Sequence, residues 1–332
     1  MNIVTLPQGF QLCHITMDDL QGVTDLLIAC EIDDYGQPTS SRAIREESTR
    51  SDWLSPETDL AKNAWVVLAP DGSYAGRTNL MVPLDAPEKM HAVPRVSPDY
   101  RGLGIGTFLI RLAEQRAREI MTSLPQEKRV TLNSRVEGVN EDAKALLLRE
   151  GFTPLRTFFR MEIDILEPPP VPQWPVGITV RTFVQGQDER SVFEAEEEIF
   201  QQDEWGYTPG NFDEWVRSGT GNASFDPSLW FLAIAENEIA GCSMCHLNIG
   251  EQINMGFINT LGVRRKWRKQ GLGLALLYHS FDEFYKRGFH QAALSVDSEN
   301  PTGAVRLYIR AGMRRAKKYD VRYEKVLRED TL

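Results

Sequence analysis

The sequence predicts an α+β (α/β) chain built as two tandem copies of one domain, and three observations carry that prediction. Strands and helices alternate along the chain in an order that is run through twice. A glycine-rich turn of the form Arg-x-x-Gly-x-Gly stands between a strand and a helix in each run, at 101–106 and at 268–273. A proline-rich stretch, Glu167-Pro168-Pro169-Pro170-Val171-Pro172-Gln173-Trp174-Pro175, falls near the middle. Proline removes backbone donors and stiffens the chain, so this stretch reads as a semi-rigid linker. The expected organisation is a first domain over 1–166, a linker over 167–176 and a second domain over 177–332.

In the first copy, residues 10–15 read as a strand and 18–32 as a helix with Asp18 or Asp19 near its start. Residues 64–69 and 74–82 form a hairpin around the Asp71-Gly72 turn. A strand over 91–96 leads through the glycine turn into a helix over 105–121. A strand over 129–133, a helix over 141–149 ended by Gly151, and a strand over 156–165 complete the copy. The second copy has a strand over 178–183, a helix over 190–200 and a shorter helix from about Asn211. Strands follow over 229–235, 238–247 and 254–263, then a helix over 272–286. A strand over 291–296, a helix over 301–311, and strands over 314–319 and 321–326 finish the chain. Val96 to Gly106 superposes on Val263 to Gly273 at an offset of 167, and Gly151-Phe152 on Gly312-Met313 at an offset of 161. A repeat this long is a duplicated domain and not a solenoid.

The 332 residues are 42% hydrophobic and 25% charged, enough to build sizeable cores. Formal net charge is −10, which argues against a nucleic-acid groove and suits a cationic partner such as an amine. There is no signal-peptide pattern and no long apolar run, so neither export nor a membrane span is expected. Four cysteines in so long a chain fit a reducing cytoplasm. Cys242-Ser-Met-Cys245 looks like a CxxC motif but lies in a strand. Positions i and i+3 of a strand face opposite sides, so core packing is the expectation and no metal site is. His246 and His279 lack the spacing of a metal site, and the run Glu194–Glu198 reads as a solvated helix face.

The glycine turns carry the chemistry. The first backbone N–H groups of a helix have no intrahelical partners, and the helix dipole adds positive charge there. Glycine admits positive φ and close approach of a ligand. Together these make a main-chain cradle for a pyrophosphate, which the arginine can brace or contact. A P-loop would need Gly-Lys-Ser/Thr after its glycines, which neither turn has.

With these turns the sequence resembles the GNAT superfamily of acyl-CoA-dependent acetyltransferases, whose hallmark is Arg/Gln-x-x-Gly-x-Gly/Ala after the fourth strand. The second copy adds Asn300-Pro-Thr-Gly-Ala304-Val-Arg-Leu-Tyr308-Ile-Arg-Ala-Gly312-Met313, similar to the family's late signature. The tandem arrangement is similar to that of mycothiol synthase-like double GNAT proteins. The resemblance implies two tandem GNAT folds, each a mixed, mostly antiparallel sheet flanked by helices, in which pantetheine lies where two strands splay. It implies acetyl-CoA as co-substrate, with no metal. Leu261, Gly262 and Val263 would offer main-chain groups to the pantetheine and the acetyl carbonyl. Arg268, Lys269, Gln270, Gly271, Leu272, Gly273 and Leu274 would hold the pyrophosphate, and Asn300 the pantetheine arm. In the first copy the matching residues are Val96, Arg101, Gly102, Gly104 and Gly106. The basic cluster Arg264, Arg265, Lys266, Arg268 and Lys269 suits the phosphates of CoA.

Acetyl transfer to an amine needs a neutral amine, a donor for the developing oxyanion and a proton for the leaving thiolate. Tyr308 stands where the family places its proton donor. Leu147 stands opposite it in the first copy, and Asn140 lies one place out of register with Asn300, so the first copy is expected to be degenerate and the second catalytic. The general base is open, because the strand 254–263 holds no carboxylate. Candidates are a water relay through Asn259 or Thr260, or Glu251 or Glu204 from flanking segments. The segment Gln201-Gln-Asp-Glu204-Trp-Gly-Tyr207 reads equally as an amine-binding element and as a solvated loop. The expected activity is N-acyl transfer to a primary amine, of a small molecule or of a protein lysine or N-terminus. A noncatalytic acyl-CoA sensor or scaffold is the alternative.

Overall fold

A computed structural model describes residues 5–201, 207, 209–221, 225–250 and 253–330. The first run of elements is β1 (Gln11–His14), α1 (Leu20–Tyr35), α2 (Arg42–Leu54), α3 (Leu60–Asn63), β2 (Ala64–Leu68), β3 (Tyr74–Met81), β4 (Lys89–Ala92), β5 (Arg95–Val96), α4 (Ile105–Met121), β6 (Val130–Glu137), α5 (Glu141–Arg149) and β7 (Thr153–Asp164). The second run is β8 (Thr179–Thr182), α6 (Glu189–Phe200), α7 (Phe212–Ser218), β9 (Trp230–Ala235), β10 (Glu238–Gly250), β11 (Ile253–Val263), α8 (Leu272–Lys286), β12 (Gln291–Asp297), α9 (Ala304–Arg310) and β13 (Arg314–Arg328).

Two compact units result, one of Met1–Thr157 with Lys318–Leu332 and one of Phe158–Lys317. In the first, the strand order is β1-β2-β3-β4-β6-β13, with β5 also paired to β3. In the second it is β7-β12-β11-β10-β9-β8. Each sheet is antiparallel except for one parallel pair, β4 with β6 and β11 with β12. The outermost strand beside that pair is exchanged: residues 158–164 of β7 pair with β12 in the second unit. Residues 320–328 of β13 pair with β6 in the first. The compact units therefore differ from the division at 1–166, 167–176 and 177–332. The proline-rich stretch lies within the second unit rather than between the two.

The helices at the glycine turns begin where the sequence places them. Gly104 (φ 84°) caps α4 and Gly271 (φ 88°) caps α8 in the left-handed conformation, which admits no other residue without strain. The apolar stripes of both helices pack on their sheets. Ile110, Ala113 and Ala117 of α4 meet Leu80, Leu132 and Val136, and Leu276, Phe281 and Phe284 of α8 meet Phe231, Ile258 and Leu294. Burial of each large side chain is worth about 1.5–3 kcal/mol. The other face of each sheet carries a second core, with Val23 of α1 and Trp53 of α2 over Val66 in the first unit. In the second, Val192 and Ile199 of α6 pack over Leu232 and Cys242. Cys242 and Cys245 fall in opposite cores of the second unit, and all four cysteines are unpaired.

Three local readings change. Helices α2 and α3 have no counterpart in the sequence reading. The strand expected over 91–96 is broken at Pro94, which cannot donate to a ladder. The two strands expected over 314–319 and 321–326 are one continuous strand, β13. Among the described residues no helix is long and apolar enough to cross a membrane, and no group of three or more His, Cys, Asp or Glu is placed to hold a metal ion.

Candidate functional site

In the second unit, β11 and β12 pair only at Gly256–Ala292, Phe257–Ala293 and Ile258–Leu294. Beyond that point the two strands part. A bulge marks the same place on the other edge of β11, where Met244 pairs with Thr260 but Cys245 with Ile258, leaving Asn259 unpaired. The gap opens into a cleft of about 820 Å³. One wall is Leu261, Gly262 and Val263 with the turn residues Arg268, Lys269, Gly271, Leu272, Gly273 and Leu274, and the other carries Asn300 and Tyr308. Gln270 is the one member of the expected set that does not line the cleft; its side chain donates to the Lys266 carbonyl at 3.4 Å.

Arg268 braces the turn. Its Nε donates to the Val263 carbonyl at 2.8 Å and one Nη to the Ile199 carbonyl at 3.4 Å. This fixes the end of β11 against the start of the turn. The other basic residues divide. Arg264 pairs with Glu198 and Glu238, and Lys266 with Glu236, whereas Lys269, in the left-handed region at φ 61°, faces the cleft. The Asn300 side chain accepts from the Thr302 amide at 3.0 Å, shaping the loop before α9.

Tyr308 is 7% exposed, and burial pushes its phenol up to about 12. Among the described residues its hydroxyl has no hydrogen-bond partner. The phenol therefore stands protonated in the wall of the cleft at neutral pH.

The structure adds a carboxylate that the sequence reading assigned to solvent. Glu196, from α6, lines the cleft. Thr260, on β11 within the splay, donates its hydroxyl to Glu196 Oε1 at 3.0 Å. Trp215 of α7 donates its indole N–H to Oε2 at 2.7 Å. The helical spacing was the available signal: Val192, Ala195 and Ile199 are the buried stripe, and Glu196 stands next to it at i+4 from Val192. Asn259 is engaged with His246, whose imidazole burial pushes down. Glu204 and Glu251 lie outside the described residues, as does most of the segment 201–207. Of that segment, Tyr207 donates its hydroxyl to Glu197.

The first unit has a smaller cleft of about 460 Å³, lined by Val96, Arg101, Gly102, Gly104, Gly106, Asn140 and Leu147. Here Arg101 turns to carboxylates, Asp33 and, at 3.5 Å, Asp34. Asn140 is in register with Asn300 after all. The Asn140 amide donates to the Glu137 carbonyl as the Asn300 amide does to Asp297, an offset of 160. The Phe152 amide donates to Leu147 as the Met313 amide does to Tyr308, an offset of 161. The one extra residue of the second copy therefore lies between Asn300 and Tyr308, and Leu147, 2% exposed, does stand in place of Tyr308.

The family model for the acetyltransferase (GNAT) family matches residues 26–152 and again 190–313. A mycothiol acetyltransferase of Thermobispora bispora is 30% identical over 296 residues, 84% of this chain and 93% of that protein. One of Cellulomonas flavigena is 29% identical over 228 residues, 66% of this chain, and the match spans 63% of its length. The crystal structure of a GCN5-related N-acetyltransferase from Sphaerobacter thermophilus is 35% identical, covers 98% of both chains and superposes with a TM-score of 0.81. With the glycine turn and the parted parallel strands present in both copies, the chain belongs to the acetyltransferase (GNAT) family and carries that family's domain twice.

Proposed function

We propose that the second unit moves an acetyl or short acyl group from CoA to a primary amine by direct attack in a ternary complex. The carrying observation is that one cleft joins the parted strands, the glycine turn and the Tyr308 hydroxyl. Acetyl-CoA as co-substrate supplies an activated thioester carbonyl. The unpaired edge of β11 at 259–263 suits the amide-rich pantetheine arm, and the first amides of α8 with Lys269 suit its pyrophosphate. The amine nitrogen forms a bond to the thioester carbon while the C–S bond breaks. Tyr308 gives its proton to the departing sulfur. Glu196, aimed by Thr260 and Trp215, takes the proton that the amine must shed, directly or through water.

The first unit keeps the turn but has Leu147 where a proton donor would stand, and this supports a noncatalytic role for it. The name of the relatives, mycothiol acetyltransferase, favours a small-molecule amine over a protein lysine or N-terminus. Four unpaired cysteines are in keeping with a cytoplasmic setting. Calorimetric titration with acetyl-CoA, on wild type and on a Gly271→Val/Gly273→Val variant, tests the donor site. Loss of one binding event in the variant is the expected result, and an unchanged isotherm would remove the reading's main support. An amine screen with Tyr308→Phe as control then tests transfer.

A further inference from the structure

Strand pairing allows the two units to be compared position by position. In the first, Gly76 pairs with Val96 and Arg77 with Arg95; in the second, Gly241 pairs with Val263 and Cys242 with Gly262. The Asn140 and Asn300 amide bonds set β6 against β12 so that Arg135 matches Ser295. Three positions that are small and uncharged in the second unit, Cys242, Gly262 and Ser295, are therefore Arg77, Arg95 and Arg135 in the first. All three share the α1/α2 face of their sheet. Arg77 stands opposite Val66, which packs with Trp53 of α2. Val96 and Val136, next to the other two arginines, belong to cores on the α4 face.

Arg95 and Arg135 line the 460 Å³ cleft. Arg77, 7% exposed, sits across the strand pair from Arg95 and donates one Nη to the neutral Asn79 side chain at 2.7 Å. Its Nε has no acceptor, and neither do Nε of Arg45 nor Nε1 of Trp53, both buried on α2 of the same face. These three orphaned groups are N–H donors, and the Ser40 and Thr58 hydroxyls that flank α2 are orphaned as well. Among the described residues neither Arg77 nor Arg135 has a carboxylate within 4.0 Å, whereas Arg95 has Glu137 at 3.4 Å and Arg45 has Glu31. Four carboxylates, Asp34 in the cleft lining, Asp52, Glu137 and Asp320, offset part of the positive charge. A buried guanidinium with donors unmet is costly, and one acceptor-rich anionic group would meet that demand.

We propose that the first unit's cleft binds a ligand through a carboxylate or phosphate group seated among Arg77, Arg95 and Arg135. The group has two possible carriers. Val96 stands at the register of Val263, so the acyl end of an acyl-CoA resting on the 101–106 turn would meet Arg95. A free small acid would meet the same arginines. The inference does not depend on acetyl transfer by the second unit.

Its test is calorimetric titration of the full chain with succinyl-CoA, acetyl-CoA, succinate and inorganic phosphate, on wild type, Arg95→Gln and Arg135→Gln. The expected result is an acidic probe whose binding weakens about tenfold or more in each variant. If succinyl-CoA shows this and acetyl-CoA does not, the acid rides on the acyl group; if succinate or phosphate shows it, the ligand is a free acid. The proposal is overturned if no acidic probe shows an arginine-dependent binding event. Arg77 is buried and its replacement risks the fold. Arg95 and Arg135 are half-buried and exposed, and an unchanged thermal midpoint confirms that their variants are folded.

Discussion

The Thr260 hydroxyl on β11 donates to the Glu196 carboxylate of α6 at 3.0 Å, and the Trp215 indole holds the other oxygen at 2.7 Å. A carboxylate gripped at both oxygens is fixed in direction. It lines the cleft that opens where β11 and β12 part. Replacement Glu196→Gln preserves the shape and removes the proton acceptor. The expected effect is a fall in kcat of about 10²–10⁴ with a small change in KM for the donor. An unchanged kcat would assign the base elsewhere.

Tyr308→Phe is expected to lower kcat by about 10²–10³ while leaving acetyl-CoA affinity nearly intact. Because burial pushes the Tyr308 phenol up to about 12, it stays protonated through the neutral and mildly alkaline range. The wild-type rate should therefore show no alkaline fall from this group below about pH 11. A fall near pH 9 that vanishes in Tyr308→Phe would contradict the environment described.

The turn at Gly271 offers a steric test. Nothing lies within 4 Å of a Cβ placed there, so substitution meets only the backbone penalty of φ +88°. Gly271→Ala should cost about 1 kcal/mol of stability and weaken acetyl-CoA binding. Gly256→Ala is the contrast: its Cβ would fall 2.4 Å from the Phe284 ring. It should cost about 1–3 kcal/mol through overpacking, seen as a lower midpoint in urea.

Acid should weaken the first unit through one buried histidine. Burial, with Arg322 and Lys89 nearby, pushes the His91 imidazole down to about 4 from its ordinary 6.5. The unfolded chain takes up this proton as pH falls through 6.5, while the folded chain resists it until about 4. Stability is thus fully present above pH 6.5 and is lost progressively down to about pH 4, by about 3 kcal/mol. His91→Gln should flatten that part of the stability curve in denaturant titrations at a series of pH values.

Legibility in the sequence followed the range of the interactions. Helices α4, α5 and α8 start and stop where glycine and cap residues place them, because caps act over a few residues. Helix α2 was missed because its sequence, Arg42-Ala-Ile-Arg-Glu-Glu-Ser-Thr-Arg-Ser-Asp-Trp-Leu54, is too polar for a clear apolar stripe. Its local signals were Ser41 as N-cap and the i,i+4 pairs of Arg42 and Arg50 with Glu46. Glu196 was read from a run of acids on one helix, yet what gives it a role is Thr260, a partner 64 positions away. The register of Asn140 depended on where one extra residue falls, which only backbone hydrogen bonds decide. The exchange of outer strands leaves no local trace, since β7 and β13 have the same alternation whichever sheet receives them.

That exchange bears on how the chain is born. Residues 158–164 and 320–328 each complete the sheet that the other half of the sequence began. The first unit's core contains Tyr323 and Leu327, buried beside Leu132 and Phe152. On a ribosome releasing about 5–20 residues per second, the first half must wait unfinished, one strand short, until residues 320–328 have been made. Maturation of the leading domain is thus timed by the trailing one. A message truncated in the second half before residue 320 yields no completed first domain.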